Sequence, residues 1–212
     1  MRELRYTLMS DGSSDNALLP ILSWVLLEQK ISCPIQSEWA DLRRLPVQLR
    51  KLTERIENAV ELFPCDLLFV HRDAESRTYQ ERKAEILKAL EGARSDIPAV
   101  CVVPVRMQEA WLLFDENAVR RAAGNPNGRQ PLCLPETSRL EQLPDPKETL
   151  YGLLKQASGL SGRRLKNLRI NKCANRVSGY VYGFQPLRVL PAFRALEAEV
   201  GEIVENLRWS VP

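Results

Sequence analysis

Cysteine pairs, long apolar runs and a dominant charge sign are all missing from this chain. The five cysteines, Cys33, Cys65, Cys101, Cys133 and Cys173, are odd in number, scattered and never spaced C-x-x-C. That argues against a disulfide framework and a zinc ribbon, and leaves free thiols. The longest apolar run, Ala17 to Leu27, is interrupted by Pro20 and Ser23 and falls short of the ~20 residues that a membrane-spanning helix needs. The opening MRELRYTLMS carries charge and no continuous apolar stretch, so no secretory signal and no membrane contact are expected, and a cytoplasmic location is. Thirty basic against 27 acidic residues give a net charge of +3, too small for total charge to identify a nucleic-acid binder. What remains is 212 residues with 44% hydrophobic and 27% charged side chains. That composition excludes wholesale disorder and suits one sizeable domain, with room for a small appendage.

The order of elements predicts the fold class. Leu4 to Met9 reads as a strand, followed by the polar loop Ser10-Asp11-Gly12-Ser13-Ser14-Asp15 and an apolar helix with Pro20 near its first turn. Leu42, Leu45, Leu49, Leu52, Ile56, Ala59 and Phe63 recur at helical spacing, which predicts an amphipathic helix entered near Pro46. Asp66 to Val70 and Pro98 to Val103 are compact apolar runs of the buried-strand kind, separated by a charged helix from Thr78 to about Leu90. Alternating strands and helices predict an α/β fold, a mostly parallel sheet with flanking helices. Residues 1–124 form the expected core. Glu109 to Ala123 reads as one helix stopped by Gly124, and 125–146, with four prolines before Pro146, as a long loop. Residues 147–212 make a basic, helical C-terminal extension packed on the core, with a helix from Lys147 to Gln156 and a closing one through Leu190, Phe193, Leu196, Val200, Ile203 and Leu207.

Loops after strand carboxyl ends converge on one rim of a parallel sheet, which is where ligands bind. The first strand ends in Asp11 and Asp15, and the second in Asp73 and Glu75. If the chain stays extended past the strand, Asp73 and Glu75 share a face and can ligate one hard cation, with magnesium best suited. Asp11 can add a ligand or a base. The implied chemistry is phosphoryl transfer. Each residue also has a plain structural reading: Asp11-Gly12 as a turn pair, Asp15 as a helix cap, Asp73 and Glu75 as solvated loop charges, and Glu109 as a carboxylate favoured at a helix N-terminus. His71, the sole histidine, reads as a packed, hydrogen-bonded residue ahead of a catalytic one, and Trp111 and Leu112 as core.

The pattern of an apolar strand ending in acidic-Gly-x-x-Asp and a second ending in Asp-x-acidic resembles the TOPRIM domain, the Rossmann-like metal-binding fold of primases, topoisomerases and overcoming-lysogenization-defect nucleases. The blocks SDGSSDNALLPIL, LLFVHRDAES, VPVRMQEAWLLFDENAVRRAAG and DPKETLYGLL more closely resemble the TOPRIM-like domain of unknown function 4276 family. They span Ser10 to about Leu154, leaving the last quarter outside. The resemblance implies a Mg2+-dependent (or Mn2+-dependent) nuclease-like enzyme acting on nucleic acid, in a phage-defence or mobile-element setting. It gives Asp11 an acid/base or metal role and places Asp73 and Glu75 on the metal; by their charge Asp15 and Glu109 are the candidates to support catalysis or bind a second metal. Asp11 stands where Glu is usual, and Glu75 where Asp is usual.

Lys155 to Arg176 holds seven lysines and arginines and no carboxylate. Arg163, Arg164, Lys166 and Arg169 are its candidate phosphate contacts, against a solvated basic face or a partner for the acidic helix around Glu54, Glu57 and Glu61. Tyr180, Tyr182 and Phe184 alternate, as base-stacking residues or an edge strand would. Two other functional classes fit the same residues. One is a catalytically inactive module binding nucleic acid or a partner protein. The other is a small-molecule phosphate enzyme of receiver or haloacid-dehalogenase type with Asp73 as nucleophile.

Overall fold

The computed structural model describes residues 3–31, 33–45 (of residue 44 the backbone only), 49–207 and 209. Four strands, β1 (Leu4–Met9), β2 (Ile35–Ala40), β3 (Leu67–His71) and β4 (Ala99–Val102), form an all-parallel sheet in the order β2-β1-β3-β4. β3 is buried along its whole length, which is why it reads as a continuous apolar run, and β1 is buried everywhere except Arg5. β2 was not expected from the sequence. Its segment IQSEWA lies on the sheet edge with Gln36, Ser37 and Glu38 exposed, so it carries neither an apolar run nor an alternation. Its strand state comes from pairing with β1.

Alternate side chains of the strands feed two cores. Tyr6, Leu8, Phe69, Val100 and Val102 pack on one face with α1 (Leu19–Glu28), Trp111 and α8 (Pro191–Asn206). Met9, Leu68, Val70 and Cys101 pack on the other with α2 (Leu52–Leu62) and α3 (Tyr79–Gly92). The crossover from β1 to β2 therefore runs over one face and those to β3 and β4 over the opposite one. The switch in direction falls between β1 and β3, where such sheets open a ligand crevice.

The helices follow local chemistry closely. Thr78 caps α3, its Oγ1 accepting from the Glu81 N–H at 3.2 Å while the Glu81 carboxylate accepts the Thr78 N–H at 2.8 Å. α2 starts at Leu52 and follows only a short 3-10 turn at Leu42–Arg44; the expected entry at Pro46 lies outside the described residues. The single helix expected over Glu109 to Ala123 is two elements, a 3-10 turn over Gln108–Leu112 and α4 (Glu116–Ala122). Asp115 divides them by capping α4, its Oδ1 accepting the Ala118 N–H at 3.0 Å.

Beyond Gly124, whose positive φ of 78° ends α4, the chain is irregular to Pro146 apart from a 3-10 turn at Thr137–Gln142. α5 (Pro146–Ser158), α6 (Gly162–Lys166), α7 (Ile170–Ala174) and α8 complete the described chain. Leu150, Leu154, Phe184, Phe193, Leu196 and Val200 join the same core as α1. The aromatic alternation at 180–184 is not a strand: Ser178–Tyr180 is a 3-10 turn, and Phe184 is buried edge-on to Trp24 at 5.8 Å. α8 also covers the free edge of β4, where Glu199 accepts the Cys101 N–H at 2.7 Å. The Cys101 thiol is pushed up to about 12, first by burial and then by the Glu199 charge. All five cysteines are free.

Candidate functional site

Loops from β1, β3 and β4 meet at the crevice between β1 and β3. After β1 the chain turns through Asp11 and Gly12 into a 3-10 turn, Ser13–Leu18, which swings Asp15 inward. Asp15 is 6% exposed, and its carboxylate accepts from the Gly12 N–H at 2.8 Å, the Ser14 hydroxyl at 3.1 Å and Gln108 Nε2 at 2.9 Å. It does not cap α1 as the sequence suggested, since Leu18 holds that position; as the third residue of the 3-10 turn it closes back on Gly12, the turn's own N-cap.

His71 ends β3 and is buried. Its Nδ1 lies 3.0 Å from the carbonyl oxygen of Val102, and since a carbonyl only accepts, the proton belongs on Nδ1. Nε2 then faces the carboxylates, 3.9 Å from Asp15 Oδ2 and 3.6 Å from Asp73 Oδ1. Asp73 Oδ1 accepts the Gln108 N–H at 2.8 Å. Burial pushes Asp73 up to about 6; Glu109 and Asp15 add to the rise, and His71 and the Gln108 N–H oppose it. Glu109, on the turn after β4, is 5% exposed, and burial raises its pKa too. The nearest cation to Glu109 is Lys147 on α5, 3.7 Å from its Oε1. Buried Asp15, His71 and Glu109 and half-buried Asp73 therefore gather at one acidic floor.

Asp11 and Glu75 stand outside that floor. Asp11 is on the rim, paired with Arg55 of α2 and with Arg72 Nε at 2.8 Å. Glu75 adopts φ +54°, so the extended geometry that would align it with Asp73 ends one residue early. Its side chain is 66% exposed and meets Arg82 at 3.3 Å. Arg72 and Arg82 also share Glu85 of α3, at 2.9 and 2.7 Å. The result is a cleft of about 230 Å3 with Asp15, Asp73 and His71 beneath and Arg72 and Arg82 around it, which Arg55 meets through its pair with Asp11. Of the metal set expected from the sequence, Asp73 is on the floor, while Asp11 and Glu75 are held apart by arginines.

Gln108 and the three arginines were not singled out by the sequence. Gln108 clamps Asp15 and Asp73 from one side, through its side-chain amide and its backbone N–H, and its Oε1 is buried without a hydrogen-bond partner. Its position beside Glu109 was the one available signal. Arg55 reads in sequence as part of a solvated helix face, and Arg72 as one more charge in HRDAES.

The basic segment lies on the surface. Arg163, Arg164 and Lys166 of α6, with Arg169 just before α7, are exposed. Among the described residues none of the seven cations from Lys155 to Arg176 pairs with a carboxylate. Glu54 instead meets Lys51, and Glu57 accepts the Arg94 N–H.

A hard divalent cation suits the donor set of the floor: three oxygen-bearing acids and an unpartnered amide oxygen. Among the described residues no three His, Cys, Asp or Glu side chains are already drawn to coordination spacing. No helix among the described residues is long and apolar enough to cross a membrane. Set against protein-family models, curated proteins and solved structures, the chain matches none of them.

Proposed function

We propose that the chain is a magnesium-dependent phosphoryl-transfer enzyme of nuclease type that acts on the phosphodiester backbone of nucleic acid. The observation that carries this reading is an acidic floor enclosed by an arginine rim at the switch point of the sheet. Arginines on a rim bind phosphate oxygens in bidentate fashion, and carboxylates below them suit a hard cation. Asp15, Asp73 and Glu109 are the residues that would hold the cation, with the Gln108 amide oxygen as a neutral donor. When bound, it supplies Lewis-acid polarisation of a phosphoryl oxygen. His71, with Nδ1 committed to Val102, is left with Nε2 to take up a proton released at the floor. Arg55 and Arg72 orient the phosphate by exchanging Asp11 for it, which makes Asp11 the resident counter-ion of the rim in this reading. The TOPRIM resemblance of the strand-end blocks points to the same chemistry.

The arginine pairing of Asp11 and Glu75 also favours a second reading, an inactive module that binds nucleic acid without cutting it. One assay separates the two. Labelled single- and double-stranded DNA and RNA are incubated with the protein in magnesium, in manganese and in chelator. The enzyme cuts at least one of them in metal only. Asp73→Asn lowers the rate by at least about a thousandfold, on the order of the loss for a group acting in the transition state, with the fold intact by circular dichroism. Asp11→Asn keeps cleavage within about tenfold. Binding without cleavage of any substrate supports the inactive module, and loss of cleavage in Asp11→Asn equal to that in Asp73→Asn returns Asp11 to the catalytic centre.

A further inference from the structure

A cleft of about 520 Å3 lies beside the acidic floor. It is bounded by Asn16, which follows Asp15 in the same 3-10 turn, and by Lys172, Asn175, Arg176, Ser178 and Tyr180 from α7 and the turn after it. α7 and the Ser178–Tyr180 turn both pack on the Ser13–Leu18 turn. Consecutive residues of that turn thus serve the two sites, Asp15 facing the floor and Asn16 the cleft.

The chemistry of the walls is specific. Lys172 and Arg176 are exposed and, among the described residues, have no carboxylate partner, in contrast to Arg55, Arg72 and Arg82 at the rim. Asn16 and Asn175 add side-chain amides that both donate and accept. Tyr180 is 37% exposed. Ser178 is 1% exposed, and its Oγ has no hydrogen-bond partner.

We infer that this cleft seats the backbone of a single-stranded nucleic acid next to the reacting phosphodiester, with Lys172 and Arg176 on its phosphates and Tyr180 stacked on an unpaired base. The inference rests on the phosphodiester reading of the floor. It moves the main phosphate contacts from Arg163, Arg164, Lys166 and Arg169 to the two cations that line a concave surface. Unpaired cations contribute to binding through counterion release, and aromatic stacking needs a base free of its complement.

The test is fluorescence anisotropy of a labelled 12-nucleotide single strand, as DNA and as RNA, in chelator over a salt series. The double variant Lys172→Ala/Arg176→Ala weakens binding at least about tenfold and flattens the log K against log salt slope by about 1.4, the share of two phosphates on a single strand. Lys172→Gln alone flattens it by about half as much. Tyr180→Ala weakens binding by roughly tenfold, while Arg163→Ala/Arg164→Ala has the smaller effect. Unchanged affinity and slope in the double variant overturn the inference, as does equal displacement by duplex or by inorganic phosphate at matched phosphate concentration. Cleavage in magnesium is scored separately. No cleavage of any strand, together with lost binding in the double variant, removes the catalytic reading and leaves the cleft; intact cleavage and binding in that variant do the reverse.

Discussion

Asp73 carries the energetic tension of the floor. Burial above all, with Glu109 and Asp15 adding to it and His71 and one backbone N–H offsetting it, holds its pKa near 6 against an ordinary 3.8. In metal-free buffer the folded protein therefore holds this proton more tightly than the unfolded chain does. The associated stability is fully present below pH 3.8 and is lost as pH rises through about 6. The span corresponds to roughly 3 kcal/mol at most, at about 1.4 kcal/mol per pKa unit. Urea melts between pH 4 and 7 in chelator should show stability falling across this window. Asp73→Asn should remove most of that fall and be the more stable protein at pH 7; parallel pH profiles would contradict the assignment. Asp15, Asp73 and Glu109 could be found in the sequence because each follows a strand end or sits in a well-marked block. The arginine pairs could not, since Arg55 and Asp11 meet only through the packing of α2 on the sheet. Glu75 shows the limit of period-two reasoning, which lapses at a single residue with positive φ.

At the level of elements, legibility depended on burial. β3 and β4 are largely apolar because both faces are covered, and β1 is buried except at Arg5; all three could be read directly. β2 is an edge strand with three exposed polar residues in succession, and its identity is written in its neighbour β1. The opposite edge is closed by a side chain: Glu199 of α8 accepts the Cys101 N–H at 2.7 Å and pairs with Lys83. Glu199→Ala leaves that covered N–H without an acceptor and should cost about 1–3 kcal/mol, read as a lower denaturation midpoint. Glu199→Gln keeps an acceptor oxygen and should cost less. Equal stability of Glu199→Ala and the parent would show that the edge finds another partner. The helix expected over Glu109 to Ala123 is divided by the Asp115 cap, and that division places Glu109 on a tight turn against the floor.

For the whole molecule, the sheet order β2-β1-β3-β4 and the two packed faces fix where chemistry can occur, since the crossovers diverge only between β1 and β3. Asp15, His71 and Asp73 lie there because they follow those two strands, and Glu109 reaches it from the turn after β4. The proline-rich excursion and the C-terminal helices add to the core on one face and bring α7, with its unpaired cations, alongside. The most direct test is diffraction at the manganese edge from crystals soaked in Mn2+. An anomalous peak among the carboxylates of Asp15, Asp73 and Glu109, with Asp11 still paired to Arg55 and Arg72, is the predicted result. A peak held by Asp11 and Glu75, or none at millimolar manganese, would contradict the account.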